Sequence, residues 1–154
     1  MGSYIIFQLD ETDYGIPISQ IKQLDVMGKV TPVPNAPQYV EGIVLTRGEV
    51  IPAINIRKKY GLPNKDFNLK TRLIHIYSNE RSFGLIVDSA REFINIDDDQ
   101  ILPPPKKGNT PFTNEITGVV KHGERIILIL NPLELAVDEN KPITESEKSP
   151  KPEI

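Results

Sequence analysis

Cysteine and tryptophan are absent from this sequence of 154 residues, and histidine occurs only twice. Without cysteine there is no disulfide framework, no thiolate zinc site and no cysteine nucleophile, a usage compatible with a reducing compartment. His75 and His122 stand in different halves of the chain with no triad pattern around either. His75 lies inside an apolar strand pattern and reads as a core residue; His122 reads as a turn residue. No G-x-S-x-G elbow, no G-x-x-x-x-G-K-[ST] and no G-x-G-x-x-G occurs, so neither a serine nucleophile nor a nucleotide cradle is expected. Asp97, Asp98 and Asp99 lack the glycine and closing glutamate of a calcium loop and read as a solvated acidic loop. No metal or other cofactor is expected, and a binding module is favoured over an enzyme.

Basic excess is also missing. The formal net charge of −3 leaves little to neutralise phosphates. The one basic run, Arg57-Lys58-Lys59, has no interleaved aromatics and reads as a solvated face. Long apolar runs are absent too. The longest purely aliphatic stretch is residues 126–130, far short of the ~20 residues that span a bilayer. No secretory signal is read at the N-terminus, and Ile6 stands where a myristoylation motif wants Ser or Thr.

What is present is organised around residues 42–56. Two apolar, β-branched runs flank Arg47-Gly48, which predicts two short strands buried on both faces and joined by a tight turn. Gly48 can take the positive φ that hairpin turns need. Arg47 is a fixed charge with five donors at that turn. It reads either as an exposed arginine that keeps an apolar hairpin soluble or as a recognition residue on a rigid scaffold.

Around that hairpin the pattern predicts strands over 5–9, 14–18, 72–77, 82–87, 92–96, 116–121 and 124–130. Pro17 predicts an edge or a bend. Ser19 could cap a helical turn to about Gln23, with 24–26 extended. Prolines 32, 34 and 37 make 29–39 a stiff loop, and a second proline loop runs from about 97 to 111. Basic turn 57–60 should stop at Gly61. A hairpin turn is expected at His122-Gly123, and Asn131-Pro132 should start a last helical turn. Residues 138–154 are charged and proline-rich and should be a disordered tail.

The chain repeats itself. Tyr14-Gly15-Ile16-Pro17-Ile18 has a counterpart in Phe83-Gly84-Leu85-Ile86-Val87, at an offset of 69 residues. Gly42-Ile43-Val44 and Gly48-Glu49-Val50-Ile51 have counterparts in Gly118-Val119-Val120 and Gly123-Glu124-Arg125-Ile126, each pair flanking a hairpin turn. A proline loop separates the motifs in both halves. The expected architecture is all-β, with one domain over 1–137 built of two similar five-stranded barrels and one or two helical turns. The first barrel is placed at about 14–70 and the second at about 71–137, with strand 4–9 a candidate for sharing.

Tyr14-Gly15-Ile16-Pro17-Ile18, then Pro32-Val33-Pro34-Asn35-Ala36-Pro37-Gln38-Tyr39-Val40-Glu41-Gly42, then Arg47-Gly48-Glu49-Val50-Ile51-Pro52, together resemble the CheW-like chemotaxis coupling proteins. Phe83-Gly84-Leu85-Ile86-Val87-Asp88 and the ending Gly118-Val119-Val120 to Leu130 fit as well. The likeness runs in order over about residues 4 to 136. It implies two SH3-like five-stranded β-barrels packed side by side. It implies a non-enzymatic adaptor that joins cytoplasmic chemoreceptor tips to the regulatory domain of a chemotaxis histidine kinase. Like barrels would dock on each other, and a groove between the barrels would receive the receptor's helical hairpin.

By position, the receptor-binding residues implied are Arg47, Gly42, Ile21 and Gln23; the kinase-binding region implied is 27–62. Leu45-Thr46 stands where the family usually has Asn-Leu, and Gln23 where it often has glutamate. The resemblance implies a cytoplasmic protein, recruited to membrane receptor arrays through partners, with no direct membrane insertion and no nucleic acid. Two other readings are a regulatory module within a larger signalling protein and a nucleic-acid-binding barrel; the acidic balance opposes the second. With no phosphotransfer helix, ATP-binding domain or receiver domain in the sequence, a stand-alone adaptor is favoured.

Overall fold

The computed structural model describes residues 2–78, 81–104 and 115–135. The predicted tail at 138–154, the centre of the turn at 79–80 and the second proline loop beyond 104 lie outside the described residues.

Eleven strands form. They are β1 (Gly2–Leu9), β2 (Thr12–Pro17), β3 (Ile21–Val26), β4 (Val40–Thr46), β5 (Glu49–Asn55), β6 (Arg72–Ser78), β7 (Arg81–Val87), β8 (Ser89–Ile96), β9 (Ile101–Leu102), β10 (Ile116–His122) and β11 (Arg125–Leu130). Two short helices, α1 (Ile56–Lys59) and α2 (Pro132–Leu135), follow β5 and β11, each capped by an asparagine carbonyl. One sheet has the order β8-β1-β2-β11-β10-β9 and the other β3-β6-β7-β5-β4. The all-β, two-barrel expectation therefore holds, with a two-residue β9 as a sixth strand in one sheet.

The chain does not divide between the sheets at residue 71. Strands β6 and β7 join the hairpin β4–β5, and β1 and β2 join the hairpin β10–β11. The two joins are equivalent. Strand β5 runs parallel to β7 with Ala53 opposite Gly84, and β11 runs parallel to β2 with Ile129 opposite Gly15. Each aromatic-Gly hairpin of the repeat thus completes the barrel of the other half. The sequence repeat cannot reveal this, because two similar hairpins offer similar partners and only three-dimensional packing selects between them.

Each sheet curls around a small core of its own. Tyr4, Ile6, Ile94, Ile96, Val120, Ile127 and Ile129 form one, with Ile101 packed against it. Val44, Ile51, Ala53, Leu73 and Ile86 form the other, under Met27 and Val30. The opposite faces meet in a larger shared core that includes Phe7, Leu9 and Ile16 from one sheet and Ile54, Ile74, Ile76, Phe83 and Leu85 from the other. Strict alternation along the strands sends odd and even positions to different cores. That explains why β5 is buried from Ile51 to Asn55 without a polar face, as its sequence predicts. Strand β4 is a correction: it is an edge strand, and Leu45 on its outer side is 72% exposed.

Smaller corrections follow the same logic. The turn after β2 is a single 3-10 turn, Ile18–Gln20, and ends before Ile21 rather than near Gln23. Residues 21–26 instead pair with β6, which satisfies more backbone groups than a second helical turn would. Pro17 closes β2 opposite Tyr4; the strand itself is central, between β1 and β11. The last hairpin turns at Gly123-Glu124, one residue later than predicted, because His122 pairs with Arg125.

The basic run is not a uniform solvated face. Arg57 is buried. Its Nη1 donates to Asp88 Oδ2 at 2.7 Å and Asp10 Oδ1 at 2.9 Å, and its Nε to the Pro63 carbonyl. Lys58 pairs with Glu41, and the Lys59 ammonium lies 4.1 Å from the centre of the Tyr39 ring. Asp97 to Asp99 are exposed, as a solvated acidic loop should be.

Candidate functional site

The hairpin β4–β5 turns on two residues, and both have positive φ: 50° at Arg47 and 83° at Gly48. Two consecutive positive values identify the primed turn that suits the twist of paired strands. Gly48 adopts it freely. Arg47 does so at a cost of about 1 kcal/mol, and its side chain projects with 71% exposure.

Strands β3 and β4 are the two opposite edges of the five-stranded sheet, and no backbone ladder joins them. Side chains close that gap. Gln23 Nε2 on β3 donates to Thr46 Oγ1 on β4 at 2.9 Å and to Asp25 Oδ2 at 2.8 Å. Thr46 Oγ1 donates to Asp25 Oδ2 at 3.0 Å, and Arg47 Nη2 lies 3.6 Å from Asp25 Oδ1. A register shift between Ile21 and Gln23 frees Lys22, whose ammonium reaches Glu49 at 3.2 Å. Further along, Thr31 exchanges two backbone hydrogen bonds with Ile43, which carries the chain from β3 across to β4. The result is a closed barrel with a polar seam.

His75 lies beneath this seam, 1% exposed, opposite Gln23 in the ladder. Among the described residues neither ring nitrogen has a hydrogen-bond partner, and Nε2 is 3.7 Å from Glu49 Oε1. Burial pushes the imidazole below its ordinary 6.5, against the opposing pull of Glu49. Hydrogen bonds from Ser82 and Lys22 hold the Glu49 carboxyl below its own ordinary value. His75 is therefore neutral at pH 7, as a core histidine should be. Unfolding lets it take up a proton more readily, so its contribution is intact above pH 6.5 and is lost as pH falls below that value. Chemical denaturation from pH 7.5 to 5 should show stability falling by at most about 1.4 kcal/mol per pH unit from this one proton. A His75→Gln variant should show a flatter profile; equal slopes would mean that His75 does not titrate in the window.

The four residues marked by resemblance separate into two kinds. Gln23 and Arg47 meet through Asp25. Ile21, on the same strand as Gln23, follows the 3-10 turn that touches both β1 and β6, and so marks the junction of the two sheets. With Ser19, Gln20, Lys22 and Tyr77 it lines an open depression of about 250 Å³. Gly42 is different. It is buried, with φ of 152°, and a Cβ there would stand 2.1 Å from the Thr31 carbonyl oxygen. Its place is in the backbone closure of the barrel. Sequence reading missed Asp25, Lys22 and Glu49 and took Thr46 only as a departure; no local pattern shows that two edge strands will face each other.

The comparisons with known proteins agree with this architecture. A family model described as a CheW-like domain matches residues 3–140. A chemotaxis protein CheW from Helicobacter pylori is 32% identical over 133 residues, 86% of this chain and 79% of the relative. One from Bacillus subtilis is 30% identical over 127 residues, 82% of this chain and 81% of the relative. The crystal structure of the scaffolding protein TtCheW from Thermoanaerobacter tengcongensis superposes with a TM-score of 0.84 at 28% identity, covering 93% of this chain and 92% of that one.

Proposed function

Because the chain belongs to the CheW-like family, we propose that it works as a chemotaxis adaptor that binds a chemoreceptor tip and a histidine kinase at separate surfaces. A scaffold acts by coupling two binding equilibria, so the state of one partner changes the population of the other. The observation that carries the receptor side is the presentation of Arg47. It is an exposed, always-charged fork on a two-residue turn, 3.6 Å from Asp25 on the facing edge strand. Gln23 and Ile21 extend the same rim. Gly42 contributes by holding β4 in place rather than by touching a partner.

The kinase side falls within 27–62. There Leu45 and Val50 form a cross-strand pair on the outer face of β4–β5, 72% and 59% exposed, a dry surface for another barrel. Among the described residues no helix is long and apolar enough to cross a membrane, and recruitment to receptor arrays would run through the partners. Saturable one-to-one binding is expected when the protein is titrated calorimetrically into the isolated CheW-like regulatory domain of a kinase from the same cell. No heat from a folded sample at several temperatures would overturn the kinase assignment.

Arg47→Glu should weaken binding to a receptor cytoplasmic tip by about tenfold, the scale of one lost charged contact at an interface. The same change should leave the melting temperature nearly unchanged, because an exposed ion pair contributes under about 1 kcal/mol. A large fall in melting temperature would make Arg47 a structural residue instead.

A further inference from the structure

We propose that Asp25 is the positioning residue for Arg47, a carboxylate that holds the guanidinium in the pose presented to the receptor; this rests on the adaptor reading and deepens it. Arg47 projects from a turn into solvent, where a free arginine side chain samples many rotamers. Among the described residues Asp25 is the carboxylate in ion-pair range of it. The two Asp25 oxygens have separate tasks. Oδ2 accepts from Gln23 Nε2 and Thr46 Oγ1, one donor from each edge of the barrel. That fixes the carboxylate plane and leaves Oδ1 aimed at Arg47 Nη2.

The contact is made by Nη2 alone, and the side chain stays 71% exposed. The partner chemistry that fits is a carboxylate or a side-chain carbonyl on a helix, taken up by the free edge of the fork. Gln23 is neutral, so the seam carries two carboxylates, Asp25 and Glu49, against two cations, Arg47 and Lys22, and the surface at Arg47 is not over-neutralised.

The test uses the full chain with Asp25→Asn, Arg47→Gln and the double variant. Asparagine keeps one carbonyl oxygen to accept from Gln23 and Thr46 and replaces the oxygen facing Arg47 with an uncharged NH2 group. The direct readout is the Arg47 Nε–Hε signal in nitrogen-15 NMR of the free protein, which reports how ordered the guanidinium is and which a merely structural role for Asp25 would not move. Loss of order at Arg47 is expected in Asp25→Asn. Calorimetric titration with the isolated cytoplasmic tip of a chemoreceptor from the same cell should show about threefold weaker binding, the scale of one exposed ion pair. That loss should vanish in the Arg47→Gln background.

An unchanged Arg47 signal would overturn the proposal whatever the receptor does. So would an equal loss of affinity with and without Arg47, because Asp25 would then act on the receptor directly. If Arg47 is released in Asp25→Asn but Arg47→Gln binds the tip like the parent, the receptor reading fails while the positioning of Arg47 stands. Thr46→Val removes one of the donors to Asp25 and keeps the charge, and its Arg47 signal should be intermediate. Should Asp25→Asn not fold, an unchanged signal in Thr46→Val overturns the proposal by itself.

Discussion

Arg57→Ala is expected to destabilise the protein by about 3–5 kcal/mol, the usual consequence of breaking a buried ion pair from one side. Arg57 projects from α1 at the end of one sheet. Asp10 lies in the β1–β2 turn of the other, and Asp88 in the link from β7 to β8, where the chain crosses between sheets. The Asp88 side chain is 10% accessible, against 51% for Asp10, so most of the loss comes from leaving buried Asp88 with only the Lys65 ammonium, 3.7 Å from its Oδ2, as a cation. Asp88 Oδ2 also accepts from the Asp10 backbone N–H at 2.8 Å. The cluster therefore ties both sheets and their crossing together through Arg57, with Lys65 at its edge. Urea unfolding followed by circular dichroism checks it. A midpoint within experimental error of the parent would show that water replaces the guanidinium at little cost. Arg57→Ala with Asp88→Ala should recover part of the loss, since the stranded charge goes too.

Gly42→Ala should be comparably severe. A Cβ at this position meets the Thr31 carbonyl oxygen at 2.1 Å and its carbon at 2.7 Å, both backbone atoms. Neither can move without breaking the pair of hydrogen bonds between Thr31 and Ile43, 2.9 and 2.8 Å long. Strain at φ of 152° adds to the loss of two bonds, for a total of about 3–5 kcal/mol. The expected phenotype is specific: loss of stability together with loss of receptor binding, in contrast to Arg47→Glu, which should lose binding alone. If Gly42→Ala melts like the parent but fails to bind a receptor tip, Gly42 is a contact residue and the structural account of it is wrong.

These two residues show where sequence reading stops. Gly42 and Gly48 look alike as hairpin glycines. Gly48 satisfies a turn, which is local chemistry, and Gly42 makes room for the backbone of Thr31, eleven residues upstream, where it bridges to Ile43. Arg57 looks like its neighbours Lys58 and Lys59. What separates them is the phase of a single helical turn that follows buried Ile56, and two aspartates far away in sequence. Arg47 stood out in the sequence as a charge on an apolar hairpin turn, while its receptor role and the choice of Gln23 came from family likeness. The carboxylate that joins them, Asp25, carries no signal of its own in the chain.

Sequence alone determined the local elements and their kind. Period-two apolar patterning, the Arg47-Gly48 turn, the proline loop, the asparagine cap before Pro132 and the internal repeat all act over a few residues, where steric preference and hydrogen bonding leave few options. It also determined the family, since an ordered set of such elements is specific where each one is weak. Only the tertiary structure decided that each aromatic-Gly hairpin completes the other half's barrel, that the edges β3 and β4 close through side chains, and that Arg57 is buried. Those outcomes depend on contacts between residues tens of positions apart, and the hydrophobic effect that drives them has no direction until the sheets have curled.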